Sequence, residues 1–134
     1  MEKSVVDAVK QSYGRTLADA DLMRNFYEIF TASHPDIVKM FVRTDIKKQR
    51  DTLKTSLSMA ILFPQDNVVA KSAMKRVRDS HSRGKLNINP ELYMHWLNAL
   101  VAVVSMSDPE FTPVLEQQWR EVLGHTVSYI QEGY

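Results

Sequence analysis

The 134-residue sequence contains no cysteine, and this absence excludes several classes of protein at once. Disulfide frameworks, cysteine-ligated zinc, iron–sulfur clusters and thiol catalysis all need that residue. Any metal must therefore be held by histidine, carboxylate or methionine. The sequence also lacks an apolar run near the roughly 18 residues of a membrane span, and its start, MEKSVVDAVK, is charged where a signal peptide needs an apolar core. We therefore expect a cytoplasmic protein with no membrane partner.

An excess of charge of one sign is also missing. Seventeen Lys and Arg against sixteen Asp and Glu give a formal net charge of +1, which does not favour nucleic acid as a partner. Hydrophobic residues make up 44% and charged residues 25%, as in ordinary globular proteins. The length suits a single domain, residues 1–134, with one core. A large enzyme with separate cofactor and substrate modules is excluded.

Glycine and proline are scarce, and they separate segments whose apolar residues recur every three or four positions. This pattern predicts an all-α fold of six or seven helices. Thr44 or Asp45 is expected to cap one helix, and Asn89-Pro90 and Ser107-Asp108-Pro109 are expected to begin the last two. Gly84 is expected to end a helix in the left-handed conformation. The pattern does not decide between an extended bundle and a globule of crossed helices.

Three polar side chains fall on helix faces that should be apolar. Gln49 must bond a neighbour, face water or face a polar ligand, because a buried amide needs partners. Tyr27 is expected to be largely buried with its hydroxyl bonded, for which a backbone carbonyl would suffice. His81 ends an apolar stripe and could be a core histidine, a charge suited to the helix C-terminus, or a single axial ligand to a metal held by a cofactor. The four histidines show no spacing that chelates zinc or a di-iron centre.

Several short motifs follow one another over nearly the whole chain, and they include these three polar residues. They are Phe26-Tyr27, Ser33-His34-Pro35-Asp36, Phe41, Gln49-Arg50-Asp51-Thr52-Leu53, His81, Ile88-Asn89-Pro90-Glu91-Leu92-Tyr93, and Trp119 with Gly124. In these motifs the sequence resembles the bacterial globins, namely single-domain haemoglobins and the globin part of flavohaemoglobins. The resemblance implies a globin fold of six to seven crossed helices around a pocket for haem b (heme b, iron protoporphyrin IX).

The resemblance also assigns roles to individual residues. His81 corresponds to the proximal ligand of the haem iron. On the distal side, Tyr27, Gln49 and Leu53 correspond to the residues that face a bound gas. The further haem contacts that it implies are Phe41, Leu53, Val77, Ile88, Tyr93 and Leu97, with Phe41 wedged against the porphyrin and Tyr93 on the proximal side.

Two features depart from the flavohaemoglobin pattern. The stretch from His81 to Tyr93 is longer, and the acid that polarises the proximal histidine has no match in register, since Glu132 is displaced along the chain. We expect the second ring nitrogen of His81 to donate to a backbone carbonyl near residues 77 to 78.

Three classes of function follow from the resemblance. The first is reversible binding of O₂, and of NO and CO, for storage, transport or sensing. The second is NO dioxygenation with electrons from a separate reductase, because the chain on its own is not expected to be an enzyme. The third is a haem-free globin-fold sensor or interaction module. A group of basic residues around the proximal helix is either a solvated face or a docking surface for an acidic reductase or for the haem propionates. We expect Arg83 and Lys85 to contact the propionates. The members of the group are Lys71, Lys75, Arg76, Arg78, Arg83 and Lys85.

Overall fold

Seven α-helices make up most of the chain in the computed structural model, which describes residues 1–134. In chain order they are α1 (Lys3–Thr16), α2 (Leu22–Ala32), α3 (Pro35–Met40), α4 (Ile46–Leu62), α5 (Val68–His81), α6 (Tyr93–Ser107) and α7 (Pro113–Gln131). Single 3₁₀ turns, Phe63–Gln65 and Pro90–Leu92, follow α4 and precede α6. The predicted all-α fold is confirmed. None of the helices is both long and apolar enough to cross a membrane.

Side-chain caps fix the starts of several helices, as the sequence predicts. Asp45 accepts a hydrogen bond from the backbone N–H of Lys48 at 3.2 Å, and α4 begins at the next residue. Asn89 accepts from the backbone N–H of Glu91 at 3.0 Å and starts the turn that leads into α6. Each of these bonds satisfies a donor that a helix start would otherwise leave unpaired.

The start of the last helix is a correction to the sequence prediction. Helix α7 begins at Pro113, four residues beyond Pro109, and Thr112 caps it by accepting from the backbone N–H of Leu115 at 3.1 Å. Asp108 instead begins a separate turn before α7, in which its carboxylate accepts from the backbone N–H of Glu110 at 2.9 Å. The same carboxylate is bonded by α1. It accepts from Ser12 at 2.6 Å and from the guanidinium of Arg15 at 2.7 and 3.0 Å.

This pairing makes Asp108 the structural link between α1 and the connection from α6 to α7. Asp108 is 4% exposed as a residue, and the Arg15 guanidinium beside its carboxylate holds the pKa of that group down at about 2. Ser12 also accepts from the indole N–H of Trp119 at 2.9 Å, so the buried ring on α7 has its polar atom satisfied. The network therefore holds α1, α7 and the connection between α6 and α7 together at one point.

The end of α5 is a second correction. The helix ends at His81, and Gly84 does not adopt the left-handed conformation. Asn87 does so instead, with φ of 54°, which asparagine tolerates better than most residues. The backbone N–H of Asn87 donates to Ser82 at 2.9 Å, and that of Ile88 donates to His81 at 3.1 Å. These two bonds close the loop tightly behind His81.

The packing of the helices brings α2 against α6, α1 against α7, and α5 against both α4 and α7. Fully buried side chains at their centre include Phe26 on α2, Leu57 on α4 and Trp119 on α7. Burying an apolar side chain of this size stabilises the fold by about 1.5–3 kcal/mol. Helices α2 and α4, which carry the predicted distal residues, thus pack against α6 and α5, which carry Tyr93 and His81.

Candidate functional site

His81 is the last residue of α5, and its half-buried imidazole is held by one hydrogen bond. Its Nδ1 lies 2.9 Å from the hydroxyl oxygen of Tyr93, the first residue of α6, and the two rings are nearly parallel at 23°. Burial lowers the pKa of His81 and raises the pKa of Tyr93 to about 12. At neutral pH both rings are therefore uncharged, and Nε2 makes no hydrogen bond to the protein.

The partner of Nδ1 differs from the one expected from the sequence. We predicted a backbone carbonyl near residues 77 to 78, whereas the structure places the Tyr93 hydroxyl there. The carbonyl of Val77 instead accepts from the hydroxyl of Ser80 at 3.0 Å. Tyr93 is twelve residues away along the chain, so only the path of the intervening loop brings it to His81.

The loop behind His81 is held in place by Tyr134. The hydroxyl of Tyr134 donates to the side chain of Asn87 at 2.6 Å, and its carbonyl accepts from the backbone N–H of Arg83 at 3.1 Å. The guanidinium of Arg83 lies over the Tyr134 ring, 4.6 Å from its centre. Arg83, predicted to contact a propionate, is therefore engaged with Tyr134. These contacts fix the path by which the loop reaches Tyr93.

The other predicted residues of this side lie close by, in the same two helices and in the loop between them. Val77 is half-buried one turn before His81, and Leu97 is buried one turn after Tyr93. Ile88 is half-buried and bonded through its backbone to His81. The structure thus places His81, with the apolar residues predicted to surround it, where α5 meets α6.

Tyr27 forms the centre of a second group on α2. It is 5% exposed, and its ring packs edge-on against Phe41 at 5.6 Å between ring centres. Its hydroxyl lies 3.5 Å from the backbone carbonyl of Gln49, which is long for an O–H···O hydrogen bond. Burial raises the pKa of Tyr27, and the contact with Gln49 opposes this shift. The hydroxyl is therefore a neutral donor that is only weakly engaged by the protein.

Gln49 and Leu53 lie one turn apart on α4. Gln49 is half-buried, and Leu53 is buried with 7% of its surface exposed. The structure brings the Tyr27 ring to Phe41 and its hydroxyl to the backbone carbonyl of Gln49, and Leu53 lies one turn further along α4. This group makes no hydrogen bond or ring contact with the His81 group, and the two are carried by the packed helix pairs α2–α6 and α4–α5.

The donor set of the site fits haem better than a metal held by side chains alone. No group of three or more His, Asp or Glu side chains could hold a metal ion. A haem iron already has four ligands in the porphyrin and needs one protein ligand on its proximal side. His81 offers a neutral imidazole whose Nε2 is free and whose other nitrogen has a hydrogen-bond partner, which is the usual arrangement of a metal-ligating histidine.

Comparison with known proteins gives the family directly. The family model described as Globin matches residues 13–130. The chain belongs to the globin family. Globins generally bind haem and, through it, diatomic gases. No curated protein matches the sequence significantly.

A solved structure is similar to this globin over almost its whole length. It is the protein PA3967 from Pseudomonas aeruginosa PAO1, described as structurally highly homologous to a human hemoglobin. The two chains share 33% of their residues with a TM-score of 0.92, and the match covers 97% of this chain and 98% of that chain. The predicted globin fold is confirmed by this likeness.

The basic group on and after α5 is largely engaged with local partners in this globin. Lys71 pairs with Asp66 at 3.0 Å, and Arg76 donates to Ser72 at 3.0 Å. The Arg78 guanidinium lies over the ring of Tyr129, 4.7 Å from its centre. Lys75 also pairs with Asp79 at 3.9 Å, and Arg83 is engaged with Tyr134, so five of the six cations have partners within the chain.

Proposed function

We propose that this globin binds haem b through His81 and takes up O₂, and also NO and CO, reversibly in the cytoplasm. The observation that carries the proposal is the His81 imidazole with Nε2 free and Nδ1 held by Tyr93 at 2.9 Å. Haem iron, when bound, supplies an open coordination position for a diatomic gas. The same position could serve storage, transport or sensing of the gas.

The proximal residues would hold the ring in the tautomer that binding needs. Nε2 can ligate iron only if its lone pair is free, so the proton must lie on Nδ1 and be donated to the hydroxyl oxygen of Tyr93. The loop bond between His81 and Ile88 then keeps the end of α5 in place. Val77 and Leu97 would supply apolar contacts around the ring.

The distal residues would stabilise a polar gas. The Tyr27 hydroxyl and the Gln49 amide would each donate a hydrogen bond worth about 1–1.5 kcal/mol, or roughly a tenfold change in dissociation. Bound O₂ is more polar than bound CO and gains more from these donors. Phe41 and Leu53 would exclude bulk water from the same space.

Substitution of His81 tests the proposal. Protein expressed with haem supply should show a Soret band that His81→Ala abolishes, whereas His125→Ala should leave it unchanged because His125 is exposed on α7. His81→Gly with added imidazole should restore the band. A wild-type protein without any Soret band would favour the haem-free module, and a band retained in His81→Ala would show that another residue ligates the iron.

Reversible binding and NO dioxygenation differ in their need for electrons. The oxygenated protein should consume one equivalent of NO and then stop, because each further cycle requires an electron from a separate reductase. Stopped-flow mixing with NO, with and without a reductase and its electron donor, measures this. Sustained turnover with the reductase would support the enzymatic function instead.

A further inference from the structure

Two histidines that are far apart in the sequence meet at the surface of the fold. His34 lies in the turn between α2 and α3, and His95 lies in the first turn of α6. The packing of α2 against α6 brings the two rings to 5.3 Å between their centres, with their planes tilted by 59°. Both residues are half-buried, so each ring is supported by the protein on one side and open to solvent on the other.

The ring nitrogens of this pair are largely uncommitted. Nδ1 of His34 accepts a hydrogen bond from the backbone N–H of Asp36 at 3.0 Å and so caps α3. Nε2 of His34 and both ring nitrogens of His95 form no hydrogen bond to the protein, and none of them is a buried atom. These nitrogens are therefore reachable from solvent and available to a ligand.

The separation of the two rings suits a shared metal ion. An imidazole nitrogen binds zinc at about 2.0–2.1 Å, and the ring centre lies roughly 1 Å behind that nitrogen, so two imidazoles on one tetrahedral ion have their centres roughly 5 Å apart. The observed 5.3 Å requires little movement of either ring. Because the rings are tilted and not stacked flat, one nitrogen of each can turn toward a common position.

Asp36 supplies the second partner that a metal-bound His34 would need. In the free protein Nδ1 of His34 is an acceptor, so its ring proton lies on Nε2. Binding of a metal at Nε2 moves the proton to Nδ1, and the Oδ2 atom of Asp36, 4.0 Å away, would accept it after a small rotation. A carboxylate in this position is a common partner of a metal-ligating histidine. The backbone N–H of Asp36 loses Nδ1 in this exchange, but Asp36 is exposed and water can replace the lost acceptor.

We propose that His34 and His95 form a binding site for a transition-metal dication that prefers imidazole, such as Zn²⁺ or Cu²⁺. The site is separate from the one at His81. Each histidine would contribute one nitrogen, and water would complete the coordination, since no third His, Asp or Glu side chain is placed to bind the ion. With fewer protein ligands than the four of a structural zinc site, the ion would exchange with solvent. While bound, it would join the turn before α3 to α6.

Metal binding is tested on the full chain by thermal unfolding in the presence of Zn²⁺, with Mg²⁺ at the same concentrations as the control. Zn²⁺ should raise Tm in a saturable way, as expected for a ligand that binds the folded state. Mg²⁺ prefers oxygen ligands and should not raise it. X-ray absorption at the zinc edge, with one equivalent of Zn²⁺, should show two imidazole ligands. Equal responses to the two ions, or a spectrum with a single imidazole, would overturn the proposal.

Substitutions identify the ligands. His95→Gln should weaken zinc binding at least about tenfold, because the second imidazole no longer binds within the same molecule. His34→Asn should weaken it similarly while keeping the cap on α3, since the asparagine side chain can accept from the same backbone N–H. This variant therefore separates loss of the metal ligand from loss of the helix cap. Unchanged zinc binding in either variant would refute the site.

Two further histidine variants are the controls. His125→Ala removes an exposed histidine on α7 and should leave zinc binding unchanged. His81→Ala removes the proposed haem ligand and should also leave zinc binding unchanged, which makes this test independent of the haem proposal. Loss of zinc binding in His81→Ala would mean that the ion occupies the proposed haem site, and the assignment to His34 and His95 would be wrong.

Discussion

Replacing Tyr93 by Phe removes one hydroxyl and keeps the ring, so it isolates the hydrogen bond to His81. The ring is 8% exposed and would stay packed, whereas Nδ1 would lose the partner that lies 2.9 Å away. Loss of such an outer partner typically weakens metal binding by about 10–100-fold. That range corresponds to about 1.4–2.7 kcal/mol, in agreement with the roughly 1–3 kcal/mol cost of leaving a buried donor unpaired. We therefore expect Tyr93→Phe to lose haem about 10–100 times faster.

The assay is the rate of haem transfer to an excess of a haem-scavenging apoprotein. The frequency of the iron–histidine stretch, measured by resonance Raman on the ferrous protein, should shift in the same variant because the bond to Nδ1 affects how strongly Nε2 donates. Tyr13→Phe is the matched control, since Tyr13 is equally buried and its hydroxyl donates to the carbonyl of Lys54 at 2.9 Å. An unchanged haem-transfer rate and stretch in Tyr93→Phe would refute the role given to this hydrogen bond.

Two further substitutions test the distal group and the fold. Tyr27→Phe should raise the O₂ dissociation rate about tenfold, measured by stopped flow against Tyr13→Phe; an unchanged rate would mean that the hydroxyl does not reach the gas. Because Arg15 lowers the pKa of Asp108 from 3.8 to about 2, the folded state gains about 2 kcal/mol above pH 4, and this gain is lost as the pH falls to 2. Asp108→Asn should therefore lower the free energy of unfolding, measured in urea, by about 2 kcal/mol at pH 7 and by much less at pH 2. Asp36→Asn, at an exposed position, is the control. An equal loss at pH 7 and pH 2 would contradict the pairing of Asp108 with Arg15.

Local signals predicted most of the helices, because a helix start depends on residues a few positions apart. Asp45 and Asn89 cap helices as the sequence indicates. The start of α7 was missed because two similar signals, Asp108-Pro109 and Thr112-Pro113, lie four residues apart. Asp108 begins only a short turn through Glu110, and its carboxylate is also bonded by Arg15, which lies more than 90 residues away in sequence.

In the candidate site, too, features set by neighbouring residues could be predicted from the sequence, whereas contacts between distant residues could not. The positions of Tyr27 and Gln49 on their helices follow from periodicity, and the structure brings the Tyr27 hydroxyl to the backbone carbonyl of Gln49. The bond between His81 and Tyr93 does not follow from periodicity, because the loop between them turns at Asn87 rather than at Gly84. Nor does the sequence reveal the contact between His34 and His95, which depends on the packing of α2 against α6. The ligand roles of these residues stay predictions.

The kind of acceptor at Nδ1 bears on which globin function the site suits. A carboxylate accepts a stronger hydrogen bond than a neutral phenol and would draw the imidazole further toward its anionic form. Here the acceptor is the Tyr93 hydroxyl, and Glu132, the only candidate acid in the resemblance to flavohaemoglobins, is exposed and bonds neither Tyr93 nor His81. If His81 ligates a haem iron as proposed, a nearly neutral imidazole would donate to the iron only moderately. That would support the proposed reversible gas binding over a reaction that cleaves the bond of the gas.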